Sequence, residues 1–584
     1  MKRLAALFLS PIIVLSMFGC NNKSTEIAET ATEVTEYVEV RETLPLDPVE
    51  VTETLPLAPS ALQLMLADAD ALRQSILNSS TEITVTGKSY YVSNSGDDSN
   101  DGLSPETPWA TVKKVSKAKL KPGDGVFFER GDVFREYVLH CQKGVTYSAY
   151  GEGPKPVITG SPENGADPEK WTLYGETNDG GKVWLYHRNM RDCGTLILNE
   201  NTGIQKIAPY WDGASFVTET GQPFDVLLGL KKNMTFFTPA DSLLKRNAAA
   251  DRGSIAGWSI AVPLYDKTYV GTEGALYFRC DEGNPGEIFD SIEFSMRPAE
   301  RADAFVYLRA DNVLDNLTIS GSSCCGIMHL DDIGEMCKIQ NCDISFCGGG
   351  IMFYDGNGRA EMAGDGMNIQ KPCLIENNYI HHMADNGITC EYNDGGKNVR
   401  ISDITITGNL FAYNRADIQL TSFDKDMKAN GCIYRNIYVE NNYLLYTSGG
   451  WSNYLHVHNV EKEFEPADSI KCGDFSSPLY SENLVFCDNV MYSETVRSFL
   501  YGGNVGYEPP RFENNTLFMR PYAQMPQNTG AVALWAYNEN VEDKAEFLWV
   551  FDDKVLPDKF AVRDWNTFLN DYLGSGNTLV FIDD

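Results

Sequence analysis

The sequence predicts an all-β fold: a right-handed parallel β-helix, or solenoid, with an inserted antiparallel β module and short capping helices. Three observations predict it. Short apolar segments recur behind an asparagine, a second apolar run follows most of them about ten residues later, and long Ala/Leu/Lys/Glu runs are absent. The chain has 584 residues, more than one compact domain usually holds, and an elongated repeat fold accommodates that length.

The first 59 residues stand apart from this fold. Residues 1–20 begin with Lys2 and Arg3, continue as an apolar stretch and end in Cys20. They resemble a bacterial lipoprotein signal peptide, in which Cys20 would carry the lipid; an ordinary signal peptide or a short membrane anchor is the alternative. Residues 21–59 are rich in Thr, Glu, Val and Pro and predict a disordered acidic tether. We therefore expect an exported protein, anchored to the cell membrane through its N-terminal lipid and facing outward.

Charge and cysteine content narrow the function classes. The net charge is −33 and no basic stripe is present, which argues against nucleic-acid binding and makes a polyanionic substrate less favourable. The fourteen cysteines include no CxxC pair, so we expect no metal cluster. Most of them lie in apolar runs and are interpreted as small buried hydrophobes, with one or two disulfides left open. We expect a monomer.

Residues 60–162 predict an N-terminal capping helix followed by the first coils. Ser60 and Gln63 form a capping-box pattern at the start of an amphipathic segment, expected to cover the N-terminal end of the solenoid. The loop SGDDSNDGLSPETPW, residues 95–109, is interpreted as an entry turn leading into a helix that Thr107 would cap. No cofactor is expected, with calcium bound to this acidic loop as the alternative.

Residues 163–300 interrupt the coil pattern. The segments WLYHRN, GTLILNEN, ALYFRCDEG and SIEFSMRP predict strands of a smaller antiparallel module.

Residues 301–584 predict the main coils and a C-terminal cap. The repeated anchors are expected to form one column, because asparagine tolerates the left-handed turn and its amide can bond to the next coil. They are Asn316, Asn378, Asn409, Asn442, Asn489 and Asn515, with Cys342 in the same place in one further copy. The segment 562–574 predicts a closing helix, and the last eight residues predict a strand.

The stretch YYVSNSGDDSNDGLSPETPWATVKKV, with KPGDGVFFERGDVFRE and PVITG after it, resembles the opening of extracellular β-helix enzymes of the pectin-lyase-like superfamily. That resemblance implies a polysaccharide lyase or a glycoside hydrolase. The inserted module, with its ALYFRCDEGNPGE segment, is similar to that of several β-helix glycoside hydrolases and favours hydrolysis. The Gly-His-Gly signature of polygalacturonases is absent, so no catalytic residue is carried over.

Alternation along consecutive coils predicts where carboxylates meet. Ile327, Ile351, Ile388 and Ile418 are expected to point inward, which places Tyr354 and Glu391 outward near strand ends. Adjacent coils lie about 4.8 Å apart, close to the roughly 5 to 5.5 Å between the carboxyl groups of a retaining glycosidase. The predicted catalytic residues are Asp331, Asp355, Asp365 and Glu391, and the predicted substrate-binding residues are Tyr354, Arg359, Asp394, Arg415, Trp451 and His456. His329 is interpreted as a core residue, and His381 and His382 as covering a turn.

Three functions fit these features. The first is a glycoside hydrolase that cleaves a polysaccharide with paired carboxylates in a groove on the β-helix. The second is a polysaccharide lyase, for which Lys397, Arg415 and Lys425 are the candidate bases. The third is a non-catalytic glycan-binding surface protein, in which the acids are solvated turn residues.

Overall fold

The structure, a computed structural model, describes residues 60–80, 82–190, 193–211, 215–218, 221–238, 274–296, 304–329, 334–354, 372–392, 400–422, 431–447, 456–457, 468–473, 479–492, 497–504, 510–519, 532–537, 545–550 and 576–582. Its first element is helix α1, Ala61–Leu77. The Ser60 hydroxyl accepts a hydrogen bond from Gln63 N, and Gln63 Oε1 accepts one from Ser60 N, which confirms the predicted capping box. Within these ranges no helix has the length and apolar character needed to cross a bilayer.

The first coils follow. They contain β1 Ser89–Val92, α2 Val112–Lys117, β2 Gly125–Glu129, β3 Val133–Arg135, β4 Leu139–His140, β5 Thr146–Tyr150 and β6 Val157–Thr159. The prediction that Thr107 caps a helix is wrong, because the cap is Thr111. Trp109 is held outside the helix: its N–H donates to Tyr91 O and its carbonyl accepts from Ser93 N.

The inserted module comes next in the chain. It contains β7 Trp171–Glu176, β8 Lys182–Met190, β9 Leu196–Leu198, β10 Thr202–Gly203, β11 Gln205–Ala208, β12 Tyr210–Trp211, β13 Phe216–Val217, α3 Val226–Gly229, β14 Thr235–Phe237, β15 Gly274–Arg279, α4 Pro285–Ile288 and β16 Ile292–Phe294. The strands β7, β8, β15 and β14 pair in this order and all antiparallel, and β9 pairs antiparallel with β10 and β16. The predicted antiparallel module is confirmed.

The remaining strands build the main coils. They are β17 Ala304–Leu308, β18 Val313–Asp315, β19 Thr318–Ser320, β20 Cys325–His329, β21 Cys337–Gln340, β22 Asp343–Ser345, β23 Gly349–Tyr354, β24 Cys373–Glu376, β25 Tyr379–His381, β26 Asn386–Tyr392, β27 Arg400–Thr407, β28 Leu410–Ala412, β29 Ala416–Ser422, β30 Ile433–Glu440, β31 Tyr443–Leu445, β32 His456–Val457, β33 Asp468–Cys472, β34 Ser481–Cys487, β35 Val490–Tyr492, β36 Arg497–Asn504, β37 Arg511–Glu513, β38 Thr516–Met519, β39 Val532–Tyr537, β40 Ala545–Val550 and β41 Thr578–Phe581. The final strand β41 confirms the strand predicted at the C-terminus.

Three long sheets run along the solenoid, and a coil places one strand in each of them in turn. Sheet 1 has the order β1-β2-β5-β18-β21-β24-β27-β30-β34-β37, sheet 2 the order β3-β6-β19-β22-β25-β28-β31-β35-β38-β41, and sheet 3 the order β4-β17-β20-β23-β26-β29-β33-β36-β39-β40. All these pairings are parallel except β39 with β40. The architecture is the predicted right-handed parallel β-helix, and its apolar interior is one continuous core.

A ladder of asparagines lines the turn between sheets 1 and 2. The amide of Asn378 donates to Asn409 Oδ1 at 3.0 Å, and Asn409 donates in the same way to Asn442. The ladder continues through Asn489 and Asn515 to Asn577, which is not among the predicted anchors. Each buried amide therefore bonds to the next coil, as predicted.

The prediction that Asn316 belongs to this column is wrong, because Asn316 lies one residue before it. The register Thr318↔Asp343 aligns Leu317, not Asn316, with Cys342. Asn316 has φ 54° and occupies the left-handed position before the ladder, where Asn341 and Asn377 also have positive φ. Two adjacent positions of this turn favour asparagine for different reasons, so the repeated letter alone does not distinguish them.

Helix α1 lies along the side of the solenoid rather than over its N-terminal end, which corrects that prediction. Its buried side chains Met65, Ala69 and Ile76 pack against outward residues of sheet 2, which are Tyr379, Leu410, Ala412, Leu445, Tyr492 and Phe518. A helix of 17 residues is about 25 Å long, which matches about five coils spaced 4.8 Å apart. The helix thus packs on an apolar stripe whose named residues come from five coils.

Candidate active site

The predicted carboxylate Glu391 and its neighbours belong to sheet 3. The register Ile327↔Ile351↔Ile388↔Ile418 confirms the predicted inward column, and each of these side chains is at most 1% exposed. The neighbouring column, Met328, Met352, Thr389 and Gln419, therefore faces outward. Met328 and Met352 belong to a small apolar cluster that is separate from the interior core. Apolar side chains therefore pack against one another on the outer face as well.

Glu391 lies on this outer face near the end of β26. It is half-buried and aligns with Tyr354 on one neighbouring strand and with Thr421 on the other. Asp355, the next residue after Tyr354, lies outside the described residues. The register confirms that Glu391 and the end of β23 come from adjacent coils.

The other predicted site residues divide into two groups. Tyr354 and His456 are located in strands β23 and β32. Outside the described residues lie Asp331, Asp355, Asp365, Arg359, Asp394 and Trp451, together with the lipidation residue Cys20 and the lyase candidates Lys397 and Lys425. Their roles remain predictions.

Arg415 lies at the edge of the face, where the chain passes from sheet 2 to sheet 3. Its Nη1 donates to Asp385 Oδ1 at 2.7 Å, and the two side chains are 21% and 26% exposed. Asp385 precedes Asn386 and Arg415 precedes Ala416, two residues that pair between β26 and β29. The ion pair therefore joins two coils at the rim of the face and neutralises the Arg415 charge locally.

The side-chain alternation is irregular near the start of these strands, and this changes which residues face outward. Simple alternation from Ile388 places Gly387 outward and Asn386 inward. A Cβ on Gly387 would instead lie 3.0 Å from the core residue Phe411, so Gly387 faces inward. Asn386 donates from Nδ2 to Thr389 Oγ1 at 3.0 Å, on the outer face. Sequence reasoning missed Asn386 for this reason, and the aligned glycines Gly326, Gly350 and Gly387 were the available signal.

The inserted module is connected to the later coils through one strand pairing. Strand β32 pairs parallel with β11 of the module, in the register Ile207↔His456 and Ala208↔Val457. The module enters the chain between β6 and β17, and β32 lies between β31 and β33, so both belong to connections from sheet 2 to sheet 3. The segment carrying His456 thus joins the module to a later coil along the same edge of sheet 3.

The acidic entry loop uses its carboxylates as acceptors within the loop. Asp98 Oδ1 accepts from Ala110 N and Thr111 N, and Asp98 Oδ2 accepts from the Thr111 hydroxyl. Asp101 accepts from Leu103 N, and this hydrogen bond lowers the pKa of the Asp101 carboxyl. These contacts fit the predicted entry turn.

The positions of His329, His381 and His382 agree with their interpretation as structural residues. His329 is buried and stacks on Phe353 inside the solenoid. His381 Nε2 lies 2.9 Å from Asp343 Oδ1, and its Nδ1 lies 2.7 Å from His382 Nδ1. Burial lowers the pKa of His382 to about 2, so His382 stays neutral in the turn that it covers.

The fold and its side insertion define a parallel β-helix protein, and comparisons with known proteins add to that description. No family model matches the chain. The chain is similar to the lacto-N-biosidase of Bifidobacterium longum, with 35% identity over 127 residues, which cover 20% of this chain and 7% of that protein. The match therefore spans a small part of that relative's length.

Two solved structures resemble the chain. One is a GH136 lacto-N-biosidase from Eubacterium ramulus, with 13% identity, coverage of 89% of this chain and 70% of that chain, and a TM-score of 0.34. The other is described as a glycoside hydrolase, with 10% identity, coverage of 77% and 96%, and a TM-score of 0.38.

Proposed function

We propose that this chain is an exported, membrane-tethered carbohydrate-active enzyme, a glycoside hydrolase that cleaves a glycan lying on the outer face of sheet 3. The observation that carries the proposal is the position of Glu391, an outward, half-buried carboxylate near a strand end, aligned with Tyr354. Asp355 follows Tyr354 directly, so a second carboxylate would come from the adjacent coil. The lacto-N-biosidase relative supports the choice of a glycan-cleaving enzyme.

The chemistry needs two carboxyl groups with different protonation states. Coils about 4.8 Å apart suit the roughly 5 to 5.5 Å separation of a retaining enzyme. Glu391 and Asp355 form our preferred pair, with Asp331 and Asp365 as the other candidates. Two close carboxylates repel each other, which raises the pKa of one and leaves the other ionised, as acid and nucleophile require.

The substrate we propose is a neutral oligosaccharide, with a lacto-N-bioside as the first to test. Beside Glu391 the described face carries the partly exposed amide side chain of Gln419, with the uncharged Asn386 and Thr389 buried next to it, and Arg415 is paired with Asp385. A net charge of −33 further disfavours a polyanionic glycan. Side chains proposed to bind the sugar are Tyr354, Arg359, Asp394, Arg415, Trp451 and His456, and Cys20 would carry the membrane anchor.

The test is a product analysis with the mature chain. We expect release of nitrophenol from p-nitrophenyl lacto-N-bioside, or of new reducing ends from a neutral glycan. Polygalacturonate and alginate serve as acidic comparisons, and cleavage that generates the ultraviolet absorbance of unsaturated uronates would identify a lyase instead. Binding without turnover on the whole panel would identify a glycan-binding protein.

A further inference from the structure

The segment 110–123 is an exception to the acidic composition of the chain. It contains five lysines and no acidic residue, in a chain whose net charge is −33. The five are Lys113, Lys114, Lys117, Lys119 and Lys121. The first three belong to helix α2, and the last two lie in the stretch that follows it. Exposed charges more than about 10 Å apart are largely screened at about 0.1 M salt, so acids elsewhere on the surface do not cancel this local positive charge.

The packing of this segment directs its lysines to solvent. The backbone is extended at Ala118, just after α2. The side chains of Ala118 and Leu120 pack against the interior core, and the Leu120 N–H donates to Gln142 Oε1 at 3.2 Å. The residues that alternate with them are exposed, and these are Lys117, Lys119 and Lys121. The three lysines therefore lie on the solvent side of the segment.

Two further exposed lysines extend this surface. Lys113 lies one turn earlier on α2. Lys143 follows β4, and the hydrogen bond from Gly123 N to Gly144 O holds its turn beside the segment. We call this surface the lysine patch, which consists of Lys113, Lys117, Lys119, Lys121 and Lys143.

Nearby carboxylates compensate little of the charge on the lysine patch. Asp124 is buried and accepts from the Lys121 backbone N–H. The entry-loop acid Asp98 bonds to the N-cap residue at the other end of α2. Asp311 lies 3.8 Å from the Lys143 ammonium group. Within the described residues, the other patch lysines make no ion pair with a carboxylate.

Aromatic rings lie beside the lysine patch. Lys113 Nζ is 5.3 Å from the centre of the Tyr137 ring, and Tyr137 is 37% exposed. His140 is exposed and stacks on Tyr307, with 5.3 Å between the ring centres and 5° between the ring planes. Flat rings can contact the apolar faces of sugars, while ammonium groups pair with acidic groups. Together these side chains suit an acidic glycan.

The apolar residues of the segment disfavour an anionic membrane as the partner. Surfaces that bind to bilayers combine basic residues with large apolar side chains that enter the lipid. In the segment 110–123, Val112, Val115 and Leu120 pack against the interior core instead. The segment therefore offers positive charge to a partner without apolar side chains to insert.

We propose that the lysine patch binds a polyanionic glycan that carries carboxylate or sulfate groups. The ammonium groups neutralise the anionic groups and release their counterions, and Tyr137 and His140 contact the sugar rings. The patch borders β4, which lies four strands from β26 in sheet 3, a distance of about 19 Å. It is a second glycan site, separate from the position of Glu391, and it does not depend on the proposed hydrolase.

Binding is measured by calorimetry with the mature chain at about 50 mM salt. Chondroitin sulfate and hyaluronate serve as the acidic glycans and dextran as the neutral one. We expect the wild-type chain to bind chondroitin sulfate and not dextran, with an affinity that falls as salt is added. A triple variant with Lys117→Ala, Lys119→Ala and Lys121→Ala should bind chondroitin sulfate at least tenfold more weakly.

A matched triple variant is the control. Lys231→Ala, Lys232→Ala and Lys338→Ala remove the same charge from exposed positions in the module and on sheet 1. Its affinity should equal that of the wild type, because the three positions lie outside the patch. Replacing the three patch lysines by arginine keeps their charge and should restore binding, which separates a loss of charge from a loss of folding.

Three results would overturn the inference. The first is a wild-type chain that binds neither acidic glycan. The second is an equal loss of affinity in the two alanine variants, which would show that net charge rather than the patch governs binding. The third is tighter binding to vesicles of phosphatidylglycerol than to the glycans, which would identify a membrane-binding surface.

The patch and the hydrolase are scored separately. A chain that binds chondroitin sulfate through the patch and cleaves no glycan would keep the patch and contradict the hydrolase. A chain that cleaves a neutral glycan and binds no acidic glycan would keep the hydrolase and contradict the patch.

Discussion

The outer faces of sheets 2 and 3 are built from the same coils and carry different side chains. On sheet 2, outward residues such as Tyr379, Leu410 and Leu445 are apolar, and helix α1 packs against this stripe of residues from five coils. On sheet 3, the corresponding face carries Glu391 and the partly unpaired amide of Asn386. Strand geometry is common to both faces, so the difference between them lies in the side chains that each face carries.

The largest expected difference between the two faces is catalytic. Glu391→Gln on sheet 3 should lower kcat about 1000-fold, because a carboxylate that transfers a proton or attacks the sugar is lost. The change is nearly isosteric, so the denaturation midpoint of the variant should equal that of the wild type. Steady-state kinetics measure the effect, with Glu376→Gln on the outside of sheet 1 as the matched control. Full activity in Glu391→Gln would remove Glu391 from the mechanism.

The sheet 2 face should respond in stability instead. Ala69→Asp places a charge where the side chain is 3% exposed against sheet 2 and should lower the free energy of unfolding by about 3 kcal/mol. Kinetic constants of the folded fraction should not change. Chemical denaturation measures the loss, with Ala71→Asp on the exposed side of the same helix as control. Equal effects of the two substitutions would contradict the packing of α1 on sheet 2.

The smallest expected effect concerns Asp417, which is buried at the start of β29, next to the turn that leads from sheet 2 to sheet 3. It accepts from Thr447 Oγ1 and Asn414 Nδ2, and burial raises its pKa from 3.8 to about 7. The folded chain therefore holds this proton more firmly than the unfolded chain does. The contribution of Asp417 to the free energy of unfolding should fall as pH rises from about 4 to about 7 and stay low above that range.

Asp417→Asn should remove this pH dependence and stabilise the chain by about 2 kcal/mol at pH 8, because a neutral amide replaces a buried charge. Urea denaturation at pH 5 and pH 8 measures the difference between wild type and variant. A variant that loses stability equally at both pH values would show that the carboxyl group is needed for its hydrogen bonds rather than penalised for its charge.

Much of the fold could be predicted from the sequence because each coil repeats the same local pattern of asparagine and apolar residues. The inward column of Ile327, Ile351, Ile388 and Ile418 followed from alternation and is confirmed. Glu391 was placed outward by the same rule. Alternation failed for Asn386, because Gly387 faces the core and the residue before it faces outward.

The coil, the asparagine ladder and the antiparallel character of the insertion follow from the sequence, since each depends on neighbouring residues and on a period that recurs along the chain. Three features emerge only from the folded chain: α1 lies along sheet 2, β32 pairs with β11 of the module, and Asn386 meets Thr389 on the outer face. The physical reason is that these contacts depend on the exact stacking of coils and on local departures from regular pleating, which hydrophobic periodicity does not encode.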